Sequence, residues 1–325
     1  MGRVFLIFTV VLFAAIGFAA IRKSEKKSSI VVNSEKETTV EIVTPKPAPP
    51  APKPVEPPPP EVTQDELPRP AGDMPTADRI SELFNVYEPK LPIVETVTYK
   101  SHTAWQKGRP AWIADYASHY ETSRHFIARS LNGKPDYFKQ DISDGKRFNV
   151  LHPEKELKFH MVVDLSRCKL LLWAVDASDN KNYLLKTYDV GLGRFETNRP
   201  SGSLTPLGVY TLGKNIAIYK PKVTGFYNGE KTEMIKIFGT RWIPFDEEVS
   251  DVTAPAKGFG IHGVPWIEDP QTGTLAEQRE SIRKYDSDGC IRLLTEDIEE
   301  IFSIVITKPT TIEIVKDFHE AKHLR

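Results

Sequence analysis

The sequence predicts a mainly β fold, a β-sandwich or barrel, for the C-terminal half of the chain, with a small α+β module before it. Three observations support this prediction. Short apolar runs separated by polar turns follow Phe159, a β-α-α-β order lies between Thr96 and Val150, and a proline-rich stretch precedes both. Many short strands with few helices are typical of sandwiches and barrels. The length of 325 residues suits two domains at about 150 residues each.

The N-terminal segment 1–21 is apolar. Val4–Ile21 is a run of 18 residues without a charge, which just reaches the length that spans a bilayer, and a basic start precedes it. We therefore expect either a signal sequence, cleaved after export, or an uncleaved anchor in the inner membrane. The basic residues that follow the run would favour a cytoplasmic flank under the positive-inside rule. On balance we expect export to the periplasm or cell wall.

Residues 22–78 are predicted to be a polar and then proline-rich linker without regular structure. Ten prolines lie among the 16 residues Pro45–Pro60. Proline has no amide donor and a fixed φ, so such a run adopts extended polyproline II. We interpret it as a spacer that holds the folded part away from a membrane; a merely solvated tail is the alternative.

Residues 95–152 are predicted to form the small module. Its expected elements are a strand at Thr96–Tyr99, helices at Ala111–Tyr120 and Ser123–Leu131, and a strand at Arg147–Leu151. Thr122 or Ser123 can cap the second helix, and Asn132 with Gly133 ends it.

The C-terminal domain is predicted from alternating or apolar runs of strand length. The expected strands are His160–Leu165, Lys169–Trp173, Tyr183–Tyr188, Val209–Leu212 and Thr311–Val315. A helix is expected at Leu294–Phe302, capped by Thr295. Gly258–Gly263 is a glycine-flanked segment where backbone can approach a ligand closely.

Charge and cysteine content exclude several classes. The chain has 43 Lys and Arg against 44 Asp and Glu, which argues against a nucleic-acid binder. Two cysteines, Cys168 and Cys290, cannot build a disulfide framework, and no Cys-x-x-Cys pair marks a zinc site. We expect no metal and no cofactor.

Cys290 and His262 carry the chemistry that the sequence suggests. His262-Gly263 is followed, 28 residues after the histidine, by Ser287-Asp288-Gly289-Cys290-Ile291-Arg292. A cysteine and a histidine brought together across a fold are the minimum apparatus for acyl transfer, because an imidazole can activate the thiol. Amides near Gly289 and Cys290 would stabilise an oxyanion, and Arg292 would attract a substrate carboxylate.

These residues resemble the signature of the L,D-transpeptidase catalytic domain, the YkuD family. Further matches lie upstream in the same order, over about residues 158–316: Val163–Ser166, Leu170–Trp173, Val190–Gly193 and Thr205–Tyr210. The module at 95–152 resembles a LysM module through Lys107-Gly108, Trp112–Ala114, Tyr120–Ser123 and Ile142–Gly145. A LysM module implies binding of glycan strands, and a purely structural module is equally compatible with the sequence.

The YkuD resemblance implies a peptidoglycan enzyme. Cys290 matches the nucleophile and His262 the general base, while Ser287, Arg292, Gly289, Gly263 and Asp288 match positions that shape the substrate site. The implied substrate is a stem tetrapeptide that loses its terminal D-alanine to form a thioester, which an amine then resolves. An L,D-carboxypeptidase, in which water resolves the thioester, and a non-catalytic peptidoglycan-binding protein are the alternatives.

Two features depart from the family pattern. Asp288 stands where histidine is usual, and an acid there is expected to raise the pKa of the thiol or to favour a cationic substrate group. Residues 266–283 form an insertion, which is either a lid over the stem peptide or a tolerated surface loop. Cys168 matches no catalytic position.

Overall fold

The computed structural model describes residues 72–322. The predicted signal or anchor segment 1–21 and most of the predicted linker 22–78 lie outside the described residues, so both stay predictions. Within residues 72–322, no helix combines the length and the apolar character needed to cross a membrane.

The small module has the β-α-α-β order that the sequence predicts. Strand β1 (Val94–Thr98) pairs antiparallel with β2 (Arg147–Leu151), and helices α2 (Ile113–His119) and α3 (Arg124–Asn132) lie between them in the chain. The Ser123 side chain accepts a hydrogen bond from the His125 amide at 3.1 Å, and Gly133 ends α3 with a φ of 72°. Both predicted helix boundaries are confirmed, whereas the likeness to a LysM module stays a prediction.

The C-terminal part is mainly β, as predicted. Its strands are β3 (Leu157–Asp164), β4 (Lys169–Asp176), β5 (Lys181–Asp189), β6 (Leu192–Gly193), β7 (Gly208–Leu212), β8 (Ala217–Ile218), β9 (Thr224–Tyr227), β10 (Glu230–Glu233), β11 (Arg241–Ser250), β12 (Gly260–Gly263), β13 (Trp266–Glu268), β14 (Leu275–Glu277), β15 (Tyr285–Ser287), β16 (Ile291–Leu293) and β17 (Thr310–Val315). The helices are α1 (Ser81–Phe84), before the module, and α4 (Ile235–Phe238) and α5 (Thr295–Val305) in the C-terminal part.

One large mixed sheet organises these strands. Its order is β16-β12-β11-β7-β17-β3-β4-β5, with β8 also paired to β11. The pairs β12 with β16 and β17 with β3 are parallel, while the other pairs in this sheet are antiparallel. The predicted sandwich or barrel is thus a sheet curled into half a barrel, with β16 at one edge, next to β12.

The hydrophobic core extends beyond the large sheet. Ile298, Ile301 and Phe302 of α5 are buried in it, as the apolar spacing of that helix requires. The same cluster contains Leu83 of α1 and Ile93 before β1, both fully buried. The residues that lead into the module therefore belong to the core of the C-terminal sheet.

The insertion at residues 266–283 is an antiparallel hairpin of β13 and β14 followed by a short 3-10 helix. It reaches the beginning of α5, where Glu277 Oε1 accepts a hydrogen bond from the Thr295 amide at 2.5 Å. Thr295 is the first residue of α5, and its predecessor Leu294 is the N-cap without a side-chain cap bond. The prediction that Thr295 caps this helix was wrong, because the carboxylate of Glu277 supplies the cap.

Replacing Glu277 tests this cap. We expect Glu277→Ala to lower the free energy of unfolding by about 1–2 kcal/mol, since it removes the acceptor of a helix N-terminal amide. Urea unfolding followed by circular dichroism measures the effect. The control is Glu280→Ala, an exposed residue of the adjacent 3-10 helix. Equal stability of both variants would show that the hairpin does not cap α5.

Candidate active site

Two neighbouring strands bring Cys290 and His262 to the same edge of the large sheet. Strand β12 pairs in parallel with β16, with Ile261 opposite Ile291 and His262 opposite Arg292. Cys290 is the residue immediately before β16. Strand pairing thus brings two residues that are 28 positions apart in the chain to neighbouring strands, with Cys290 next to Gly260 and His262 two positions further along β12.

One hydrogen bond determines the tautomer of His262. Nδ1 lies 2.7 Å from the carbonyl oxygen of Gly263. A carbonyl only accepts hydrogen bonds, so Nδ1 carries the proton and donates it, which leaves Nε2 with a free lone pair. The ring is 4% exposed. His262 is therefore held as a neutral imidazole whose Nε2 can accept a proton.

An aromatic pocket surrounds both residues. The His262 ring lies 5.3 Å from the ring of Phe238 and 5.9 Å from that of Trp242, centre to centre. Cys290 packs against the same cluster, to which Tyr227 of β9 also belongs. Sequence reasoning missed these residues. The signal that could have found them is the presence of five aromatic residues between positions 219 and 242, of which Tyr219, Tyr227, Phe238 and Trp242 belong to the cluster and the exposed Phe226 does not.

The electrostatics of the pocket favour the neutral forms of both groups. Burial raises the pKa of the Cys290 thiol to about 11, although a hydrogen bond from the Gly260 amide and the charge of Arg292 oppose the shift. Burial also lowers the pKa of His262 to about 3, and Arg292 adds to this effect. At neutral pH both groups are therefore in their neutral forms, Cys290 as a thiol and His262 as an imidazole.

The neutral resting state of Cys290 predicts how its rate of alkylation depends on pH. In the absence of substrate, we expect alkylation of Cys290 by iodoacetamide to accelerate about tenfold per pH unit between pH 7 and 10, because the thiolate fraction grows until the pH reaches the pKa. Mass spectrometry of the labelled peptide measures the rate. The Cys290→Ala variant reports Cys168 alone. A plateau that begins below pH 7 would contradict the prediction, since it would indicate a thiolate stabilised by an imidazolium.

The turn before Cys290 depends on Gly289. This residue has a φ of 117°, and a Cβ there would lie 2.6 Å from Phe259 Cε1 and 2.7 Å from the Leu204 carbonyl oxygen. Ser287 Oγ accepts from the Gly289 amide at 3.1 Å and donates to the Cys290 carbonyl at 2.7 Å. The Gly289 amide, expected to stabilise an oxyanion, is thus engaged by the Ser287 hydroxyl, which bridges the two ends of this turn.

Two charged residues near the thiol have partners of their own. Arg292 Nη1 donates to Asp286 Oδ1 at 2.7 Å, and its side chain is 16% exposed. Asp288 pairs with Arg194 at 2.7 Å on the surface. Asp288 raises the pKa of Cys290, as expected. Its effect is smaller than that of burial, which also raises this pKa, and smaller than those of Gly260 and Arg292, which lower it. Arg194 was not among the predicted site residues.

The other cysteine lies elsewhere in a different environment. Cys168 is 4% exposed, and both cysteines are free thiols. Burial raises the pKa of Cys168 to about 11. Among residues 72–322, no group of three or more histidine, cysteine, aspartate or glutamate side chains is arranged to hold a metal ion.

Two solved structures show limited similarity to the chain. Bd1075 of Bdellovibrio bacteriovorus is 16% identical, with a TM-score of 0.32, over 49% of this chain and 48% of that chain. The helical cell shape determining protein Pgp2 of Campylobacter jejuni is 17% identical, with a TM-score of 0.31, over 50% of this chain and 49% of that chain. The chain thus spans about half the length of these structures.

A search of the curated proteins found no significant match. Residues 158–314 match the family model described as the YkuD L,D-transpeptidase catalytic domain, which confirms the resemblance inferred for this part of the chain and indicates an enzyme domain of the L,D-transpeptidase or peptidase type.

Proposed function

We propose that the protein is a peptidoglycan L,D-transpeptidase that uses Cys290 as its nucleophile. The observation that carries the proposal is the pairing of β12 with β16: His262 lies on β12, Cys290 immediately precedes β16, and both side chains contact the cluster that contains Phe238 and Trp242. The family match over residues 158–314 supports the substrate class, a stem tetrapeptide.

In the first half of the proposed reaction, Cys290 Sγ attacks the carbonyl carbon that precedes the terminal D-alanine. His262 Nε2 takes the thiol proton as the carbon–sulfur bond forms. The tetrahedral intermediate then breaks the carbon–nitrogen bond. The imidazolium returns the proton to the leaving amine, which departs as D-alanine and leaves a thioester.

In the second half, an amine of another stem attacks the thioester carbonyl. His262 takes a proton from this amine, the carbon–sulfur bond breaks, and the thiol is regenerated. We propose that the reaction takes place in the periplasm or cell wall, with the segment 1–21 directing export or anchoring the chain in the inner membrane.

Incubation of the protein with purified tetrapeptide muropeptides tests the proposal. We expect release of D-alanine together with cross-linked dimers, detected by liquid chromatography and mass spectrometry. Free tripeptide without dimers would instead identify an L,D-carboxypeptidase. No change in the muropeptides, with no covalent adduct on Cys290, would leave a non-catalytic peptidoglycan-binding protein.

A further inference from the structure

A buried ion pair joins the small module to the wall of the thiol pocket. Arg241 begins β11 and is 2% exposed, and its Nη2 donates to Asp136 Oδ1 at 2.6 Å. Asp136 belongs to the loop that follows α3 of the module and is 9% exposed. The two residues are 105 positions apart in the chain. A charge this deeply buried is tolerated only with partners, so this contact fixes the loop against β11.

Further groups complete the environment of Arg241. Glu299 of α5 lies 3.4 Å from Nη2, and the guanidinium carbon lies 5.3 Å from the centre of the Phe302 ring. On the module side, His125 Nδ1 lies 3.3 Å from Asp136 Oδ1. Burial works against ionisation of Asp136, but His125 and Arg241 overcome it and lower the pKa of its carboxyl group.

Arg241 also contacts the backbone that builds the pocket. Its Nη1 donates to the Thr240 carbonyl at 2.8 Å, and the same carbonyl accepts from the Tyr219 amide at 2.9 Å. Trp242, the next residue along β11, pairs with His262. The backbone of residues 239 and 240 lies so close to Gly263 that a Cβ on Gly263 would be 3.1 Å from the Thr240 nitrogen.

From these contacts we propose that Arg241 is a positioning residue, through which docking of the module loop at Asp136 holds the wall of the thiol pocket in register with His262. The module then acts as a structural part of the catalytic unit. This inference goes beyond the proposed reaction, because it concerns the geometry of the pocket and not the bond that is cleaved.

A second contact between the same loop and the pocket wall supports the proposal. Lys220 Nζ lies 3.6 Å from the centre of the Phe138 ring, which belongs to the module loop. Lys220 follows Tyr219, whose ring packs in the aromatic cluster around Cys290. The pocket wall is built from two chain segments, β11 and the connection from β8 to β9, and the module loop contacts both of them.

The test compares two isosteric variants of the full chain. Asp136→Asn removes the nearer of the two carboxylate charges that face Arg241 and leaves Glu299 in place. Glu121→Gln is the matched control, because Glu121 also joins the module to the C-terminal part, through Lys308 at 2.9 Å in the connection between α5 and β17. Hydrogen exchange followed by mass spectrometry reports the pocket wall at residues 217–242. Acylation by a carbapenem reports the assembled thiol and histidine.

We expect Asp136→Asn to raise hydrogen exchange at residues 217–242 by about tenfold, because this segment loses a contact that limits its local opening. We also expect acylation to slow by about tenfold, because a small displacement of reacting groups slows a reaction. Glu121→Gln should leave both unchanged. Exchange and acylation of Asp136→Asn within twofold of the parent protein would overturn the proposal, as would equal effects of the two variants. If the parent protein is not acylated at all, the proposed function fails, and the exchange measurement still decides the positioning role.

Labelling of the buried Cys168 shows whether a variant has unfolded. If Asp136→Asn does not fold, Phe138→Ala takes its place, since Phe138 is 64% exposed and its removal leaves the core intact. We expect exchange at residues 217–242 to rise about threefold in this variant. Unchanged exchange there would overturn the proposal.

Discussion

Replacing Cys290 with alanine is expected to abolish the covalent adduct with a carbapenem and to lower turnover of tetrapeptide muropeptides by at least about 10³-fold. In the proposed reaction the sulfur of Cys290 forms the thioester, so its loss prevents both halves of that reaction. Intact-protein mass spectrometry detects the adduct, and chromatography of the muropeptides measures turnover.

The matched control for this variant is Cys168→Ala. Cys168 is 4% exposed and lies away from the aromatic cluster that surrounds Cys290. The control should keep the adduct and most of the turnover. An adduct that survives in Cys290→Ala but disappears in Cys168→Ala would show that Cys168 is the reactive thiol and would contradict the prediction.

Replacing His262 with asparagine is expected to lower the acylation rate by about 10²–10⁴-fold at pH 7. An asparagine amide can still donate to the Gly263 carbonyl, as Nδ1 does, but it offers no basic nitrogen to the thiol. The loss should shrink as the pH rises towards the pKa of about 11 of Cys290, because hydroxide then generates the thiolate that His262 no longer produces.

Acylation rates between pH 7 and 10, with thermal unfolding as a check of folding, measure this effect. His160→Asn is the control, since His160 is also 4% exposed but lies on β3. A constant ratio of parent to His262→Asn rates across this pH range would mean that His262 does not act as the base. The ratio would then report a purely structural loss.

Much of the fold is predictable from the sequence because local patterns decide it. The strand at Arg147–Leu151 has the predicted bounds, and the glycine at 133 ends its helix where left-handed backbone is needed. The cap of α5 is different. Thr295 has the residue type of a helix cap but lies one position inside the helix. The acceptor is Glu277 from a hairpin 18 positions earlier, and no local pattern encodes that contact.

Part of the candidate site can likewise be predicted from the sequence, and part of it cannot. The motif around Cys290 and the His262-Gly263 pair identify the two candidate residues, and the pairing of β12 with β16 brings them to neighbouring strands. The main cause of the raised pKa of Cys290 could not be predicted, since it is burial, and Phe238 and Trp242 of the surrounding cluster are distant in the chain from Cys290. Similarly, the partner of Asp288 is Arg194, and nothing in the spacing of these two residues suggests an ion pair.

The core that Leu83 and Ile93 share with the large sheet also bears on how such a protein can change over evolution. A domain with a closed core can be moved between chains as an independent cassette. Here the apolar surface of the sheet is completed by residues from outside the matched region 158–314, so a recombination event at residue 158 would leave that surface without its cover. The two parts are therefore expected to be inherited together and to vary in a correlated way.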